Sequence, residues 1–302
     1  MNRSLGKIRR LQQYATPDGK FVMFALDHRG NLRRSLNPDA PESVTYEQMT
    51  QFKREVTAVM SPSATAVLLD PVYGVGPVIT AGALAREAGL LLAVEKTGYT
   101  GDPTARQSQI LPGWSVEKIA RIGADGVKLL IYYHPDAPNA AEQEALVRQV
   151  GASCREYDIP FFLEPLSFSL DTAVAKLPAA EKRQVVIETA RRMTPMGVDV
   201  LKAEFPVNIP ASARRWMRLC RPIRSTGKNT IPAIQPPKPL PANTVSATVP
   251  VITGLFRLCR RRWTSCWRIW QHGRYPSPSS ANTCPPNTNA SGKAPCPTPP
   301  AP

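Results

Sequence analysis

The sequence predicts an α/β fold, a (β/α)8 TIM barrel, and three observations carry that expectation. Six short, β-rich apolar runs alternate with amphipathic stretches through residues 1–210. These runs are apolar on both faces, as strands buried in a parallel sheet must be. Carboxylates recur at or near their C-terminal ends, at Asp27, Asp70, Glu95 and Glu164. That is the end where a barrel carries its chemistry. A doubly wound open sheet competes, but no glycine-rich phosphate loop follows the first run.

The elements follow in order. Residues 22–28 (VMFALDH) form the first expected strand, and 65–70, 90–96, 126–133, 160–166 and 199–207 the next five. Helices are expected over 45–60, 79–88, 115–122, 140–157 and 179–196. Thr45, two residues before Glu47, and Ser115, ahead of Val-Glu-Lys, are start signals. Gly89, Gly123 and Gly197 stand just past three helix ends, where glycine adopts the left-handed conformation without strain.

The barrel is incomplete in this pattern: six βα units are recognisable. The chain has 302 residues, 32 prolines and a net charge of +15. Residues 1–210 hold 24 Lys and Arg against 23 Asp and Glu. Residues 211–302 hold 14 Lys and Arg, no carboxylate, and 16 of the prolines. Two domains are therefore expected: a partial TIM barrel over 1–210, and a basic, Pro/Arg-rich tail over 211–302. Stretches such as Pro-Pro-Lys-Pro-Leu-Pro at 236–241 can hold neither helix nor central strand. Cations without acidic partners and so many prolines predict a poorly ordered or misfolded tail.

The same inventory bounds the setting. Residues 1–20 lack the apolar core of a secretory signal, and no run reaches the roughly 18 apolar residues of a membrane span. One cysteine, Cys154, occurs before residue 211, as expected in a reducing compartment. The five tail cysteines lack CxxC spacing and have one histidine, His272, among them, so no zinc site is expected. The reading is a cytoplasmic protein without metal or cofactor.

Strand alternation places the chemistry. In 199–207, Val200, Lys202 and Glu204 share one face, and the apolar Leu201, Ala203 and Phe205 share the other. Lys202 is thus expected to point into the barrel. Lys128, Leu130 and Tyr132 share a face, as do Phe162, Glu164 and Leu166, and Met23, Ala25 and Asp27. A lysine in an apolar wall with a second lysine nearby should have a depressed pKa. A neutral amine is what Schiff-base chemistry needs, and a carboxylate such as Glu164 can move its protons. A structural ion pair, for instance Lys202 with Glu204, is the alternative that spacing leaves open.

These residues resemble a known family. Leu-Asp-His-Arg-Gly at 26–30, Leu-Leu-Asp-Pro-Val-Tyr-Gly at 68–74, Glu-Lys-Thr-Gly-Tyr at 95–99, Val-Lys-Leu-Leu-Ile-Tyr-Tyr at 127–133, Phe-Phe-Leu-Glu at 161–164 and Asp-Val-Leu-Lys-Ala-Glu-Phe-Pro-Val-Asn at 199–208 are similar, in order, to the class I tagatose 1,6-bisphosphate aldolases. The resemblance runs from about residue 21 to 210. It implies a metal-independent lyase that splits a ketohexose bisphosphate into dihydroxyacetone phosphate and glyceraldehyde 3-phosphate. It implies Lys202 as the Schiff-base lysine, Glu164 as acid/base, Asp27 and Lys128 as active-site partners, and Arg29 as a substrate-holding residue. The partner is then a sugar phosphate, with no membrane and no nucleic acid expected and a homo-oligomer left open. His28 stands where the family usually has Gln, and reads as a polar rim residue. Past Asn208 the family's Leu-Ser-Ala-Gly and Gly-Arg phosphate motifs are missing, although the tail has the length for them.

Two other functions compete: a related aldolase acting on a sulfonated ketose phosphate, and a non-enzymatic nucleic-acid binder using the tail's 14 cations and four tryptophans. A linker with a polyproline II segment was a further reading of the tail. Out-of-frame translation from near residue 210 ranks first, because it alone accounts for a barrel pattern that stops midway. The chain as written is then expected to have low solubility and little aldolase activity. Another frame of the coding DNA near Pro210 should encode motifs like Leu-Ser-Ala-Gly and Gly-Arg; sequencing that finds neither in any frame refutes the frameshift.

Overall fold

The computed structural model describes residues 3–206 apart from Ala175; the readings of 211–302 lie outside the described residues. Six parallel strands pair in chain order: β1 (Met23–Leu26), β2 (Ala66–Leu69), β3 (Gly89–Ala93), β4 (Gly126–Tyr132), β5 (Phe161–Leu166) and β6 (Val200–Leu201). Strand order that never reverses is the winding of a barrel wall, since a doubly wound sheet reverses at its switch point. Among the described residues β1 and β6 are the two edges.

Helices α1 (Leu5–Gln13), α2 (Gly30–Leu36), α3 (Tyr46–Met60), α4 (Val75–Thr80), α5 (Val116–Arg121), α6 (Ala140–Glu156) and α7 (Ala179–Met193) complete the order. Thr45 caps α3 in a reciprocal capping box with Gln48, and the Ser115 side chain caps α5. Gly123 and Gly197 take positive φ at the ends of their helical segments. The helices α1 and α2 were not expected: α1 is short and follows a polar start, and α2 begins on Gly30 without a side-chain cap.

Three expectations need correction. The helix expected over 79–88 lies earlier, at Val75–Thr80, and Gly82 at φ +60 turns the chain out of it. Gly89 is no helix stop but opens β3. And β6 is two residues long, so alternation no longer governs Glu204.

Alternation does divide the core at the other positions. Outward residues such as Val67, Leu69, Leu90, Leu92, Val127, Leu129, Phe161 and Leu163 pack with Val78, Ile119, Val147, Val150 and Cys154 of the helical layer. Inward residues Ala66, Leu68, Leu91, Ala93, Phe162 and Val200 form a second cluster with Tyr14. Tyr14 is the floor of that interior. Its hydroxyl donates to the Leu90 carbonyl at 2.9 Å, and its ring meets Phe162 edge-on at 5.2 Å. Glycine opens both β3 and β4 because Tyr14 occupies the space: a Cβ at Gly89 or Gly126 would lie 2.8 or 2.6 Å from its atoms. Asp199 ties α1 to this floor, accepting from Lys7 at 2.6 Å, Arg3 at 3.2 Å and the Phe161 amide at 3.0 Å.

A buried ion pair fixes the C-terminal end of β1. The Lys53 ammonium donates to the carbonyls of Leu26 (2.7 Å) and His28 (2.8 Å) and to the Asp70 carboxylate. Asp70 also accepts from the amides of Val72 (2.9 Å) and Tyr73 (2.8 Å). The pair holds the segment 26–28 on which Asp27 is mounted.

Two stability measurements follow. Tyr14→Ala removes a fully buried aromatic and should cost about 3–5 kcal/mol by urea unfolding; a loss under about 1 kcal/mol would mean the floor is sealed by other groups. Lys53→Met strands the Asp70 charge and should cost about 3–5 kcal/mol, whereas Lys53→Met with Asp70→Leu should recover much of that loss.

Candidate active site

The interior changes character toward the C-terminal ends of the strands. Above the apolar layer stand Asp27 after β1, Glu95 after β3, Lys128 on β4, Glu164 on β5 and Lys202 after β6. The Lys128 ammonium lies 2.8 Å from Asp27, 2.7 Å from Glu95 and 3.3 Å from Glu164. Glu164 turns its other oxygen to Lys202 at 2.7 Å. A continuous chain of charge thus runs from Lys202 through Glu164 to Lys128, and from there to Asp27 and Glu95. The Arg29 guanidinium donates to the Glu95 carbonyl at 2.8 Å, at the edge of this cluster.

The two lysines have different surroundings. Burial works against the Lys128 cation, but Glu95, Asp27 and Glu164 outweigh it and hold its pKa well above the ordinary lysine value. The depressed pKa expected of a lysine here is therefore overturned at Lys128: carboxylates surround it. The same contact wins at Asp27, where burial would raise the pKa but Lys128 brings it below the usual carboxylate value. Lys202 is more open, with 32% of its side chain exposed against 2% for Lys128. Its one carboxylate contact among the described residues is Glu164.

Of the residues expected from sequence, Asp27, Lys128, Glu164 and Lys202 come together, with Arg29 adjoining. Glu204 leaves the face it was assigned to. It accepts from Lys182 at 2.8 Å and from the Ser167 amide at 2.6 Å, so the structural ion pair of that segment is Lys182–Glu204 and Lys202 is free to meet Glu164. Burial would raise the Glu204 pKa, but these bonds bring it below the ordinary value. Glu95 was the residue missed as a site member. Its signal was available: it follows Leu91 and Ala93 at two-residue spacing, on the inward face. Asp70, also at a strand end, is committed to Lys53. His28 is held through its backbone carbonyl, which accepts from Lys53.

This arrangement can hold a nucleophilic amine beside a carboxylate that accepts and returns its proton. It can keep a second, fixed cation behind them. No helix among the described residues is long and apolar enough to cross a membrane.

Known proteins match this chain in the same region. Residues 21–230 match the model of the DeoC/LacD family aldolase, 20 residues past the limit of the motif resemblance. Tagatose 1,6-diphosphate aldolase 2 of Streptococcus pyogenes serotype M3 is 37% identical over 207 residues, covering 67% of this chain and 62% of the relative. The enzyme of the same name from Streptococcus mutans serotype c is 35% identical over 213 residues, covering 67% and 63%. The chain thus spans a little over three-fifths of the length of these curated relatives. A solved archaeal fructose 1,6-bisphosphate aldolase aligns over 66% of this chain and 71% of its own, at 17% identity and a TM-score of 0.42. With a family match over residues 21–230, more than two-thirds of its length, this chain belongs to the DeoC/LacD family of aldolases.

Proposed function

We propose that the protein is a class I, Schiff-base aldolase acting on tagatose 1,6-bisphosphate or a similar ketose bisphosphate. The observation that supports this best is the 2.7 Å contact between the partly exposed Lys202 and Glu164. Lys128 is a poor nucleophile by comparison, since three carboxylates hold its ammonium. Lys202 can pass one proton to Glu164 and attack as a free amine.

The steps balance. The Lys202 lone pair adds to the C2 carbonyl, and the alkoxide formed takes the surplus proton from the attacking nitrogen to give a neutral carbinolamine. Glu164, now protonated, returns its proton to that hydroxyl, which leaves as water. The resulting iminium draws in the C3–C4 bonding pair while the C4 hydroxyl gives its proton to Glu164. Glyceraldehyde 3-phosphate leaves, Glu164 returns that proton to C3 of the enamine, and water adds to the iminium so formed to release dihydroxyacetone phosphate and the Lys202 amine. Lys128 and Asp27 keep a fixed charge pattern around Glu164 through these transfers. Arg29 serves the substrate from the rim. This reading sets the protein in the cytoplasm among sugar phosphates, with 1–210 as the aldolase domain and 211–302 as a separate tail.

Borohydride trapping tests the proposal without requiring turnover. Incubation with dihydroxyacetone phosphate and reduction should add the triose phosphate mass to the peptide bearing Lys202. Lys202→Met should abolish the adduct, and Glu164→Gln should slow its formation by about 10²–10⁴-fold. An unmodified Lys202 peptide, or an adduct on Lys128, overturns the assignment.

A further inference from the structure

A further cation, Arg106, stands near the C-terminal ends of the strands with no carboxylate partner among the described residues. Arg106 lies in the loop between β3 and α5. Its guanidinium carbon stands 4.7 Å from the ring centroid of Tyr99, 4.7 Å from that of Phe168 and 5.7 Å from that of Tyr132. Aromatic faces hold a guanidinium by its flat surface and leave its in-plane N–H donors free. Of those five donors, Nε alone has an acceptor among the described residues, the Pro103 carbonyl at 3.1 Å. No carboxylate pairs with Arg106 among the described residues.

The loop is built to hold this side chain. The Arg106 carbonyl accepts from Asn139 at 3.0 Å. The neighbouring Gln107 exchanges two backbone hydrogen bonds with Thr100, at 2.9 and 3.0 Å. Ser108 is bonded on both sides, its amide to Gln143 at 3.3 Å and its hydroxyl to the Tyr132 amide at 3.0 Å. A backbone so fixed presents the guanidinium with little entropy left to lose on binding.

Its height above the amine can be read from strand register. Leu130 pairs with Glu164 and Tyr132 with Leu166, and the Lys202 amide bonds the Leu163 carbonyl. Tyr132 therefore stands two residues, about 7 Å, above the level of Glu164, on the inward face shared with Lys128. A ketose bisphosphate joined to Lys202 at C2 carries its far phosphate four carbon–carbon bonds and one ester oxygen away, a span of the same order.

We propose that Arg106 binds the phosphate monoester of the substrate distal to the Schiff-base carbon, the phosphate that leaves on the aldehyde product. The geometry assigns this role through two in-plane donors meeting two phosphate oxygens, with Tyr99, Tyr132 and Phe168 orienting the fork. The assignment rests on the aldolase reading for the identity of the ligand, but its test does not depend on turnover.

The test is calorimetric titration of the full chain with glycerol 3-phosphate, which has a phosphate and no carbonyl to react with Lys202, and with glycerol as the uncharged control. Arg106→Gln should weaken glycerol 3-phosphate binding by about 10–100-fold, as expected for a lost hydrogen bond to a charged group. Arg106→Lys should recover part of it, and glycerol should bind neither protein measurably. Circular dichroism should show the variants folded as the parent is. Equal affinity in parent and Arg106→Gln, or no binding to a folded parent, overturns the proposal. Dihydroxyacetone phosphate trapping on Lys202 separates the two readings. Trapping with unchanged binding in Arg106→Gln sinks the phosphate site alone; Arg106-dependent binding without trapping sinks the aldolase reading alone.

Discussion

The buried ammonium of Lys128 is the interaction on which the site depends. A cation at 2% exposure is tolerated only if its lost hydration is replaced. The replacement comes from Asp27, Glu95 and Glu164, one from each of three strand ends. These carboxylates would repel each other without the lysine, and the lysine could not be buried without them. The cluster therefore fixes the relative positions of the ends of β1, β3, β4 and β5. The Lys53–Asp70 pair extends the same logic outward, anchoring the segment that carries Asp27 by its carbonyls rather than by its side chain.

Rigidity at the strand ends requires rigidity below. Tyr14 fills the interior where β3 and β4 start, and it fits because both strands open on glycine. The interior then rises in layers: an aromatic floor, a band of Ala66, Leu68, Leu91, Ala93, Phe162 and Val200, and the charged layer above. The apolar band keeps water from the underside of the charges, which strengthens each contact.

Much of this was legible in the sequence, for physical reasons that differ by element. The six runs could be read as strands because a parallel strand covered on both sides must be apolar throughout. Helices α3, α5 and α6 announced themselves by caps or periodicity. The helix after β2 lies earlier than its apolar residues suggest because Gly82, at φ +60, turns the chain out of it. Two-residue alternation brought Asp27, Lys128, Glu164 and Lys202 to one interior. Glu95 obeys the same alternation and needed only the same count. Glu204 escaped it because β6 pairs for two residues and then leaves the ladder; where pairing ends, alternation has no authority. The Lys128 pKa was misjudged for another reason. The sequence shows that two lysines face inward, but the sign of the shift depends on which oppositely charged groups reach them.

The contrast between the lysines is also the basis for dividing their labour. Three carboxylates and two ammoniums leave the cluster with an excess negative charge before Arg29 is counted. Moving a proton from Lys202 to Glu164 leaves that total unchanged but neutralises both members of the exposed pair. Lys128 lies 3.3 Å behind Glu164 and Lys202 2.7 Å in front of it, so this carboxylate stands between two ammoniums. On the proposed mechanism, a carboxylate placed between a buried cation and a more exposed amine takes a proton from the amine and gives it back while the buried cation stays in place. Were Lys128 the nucleophile, three carboxylates would have to release it, and the apolar band beneath would sit against uncompensated negative charge. On the proposed mechanism, Lys202 is the reactive amine on the same electrostatic grounds that bury Lys128.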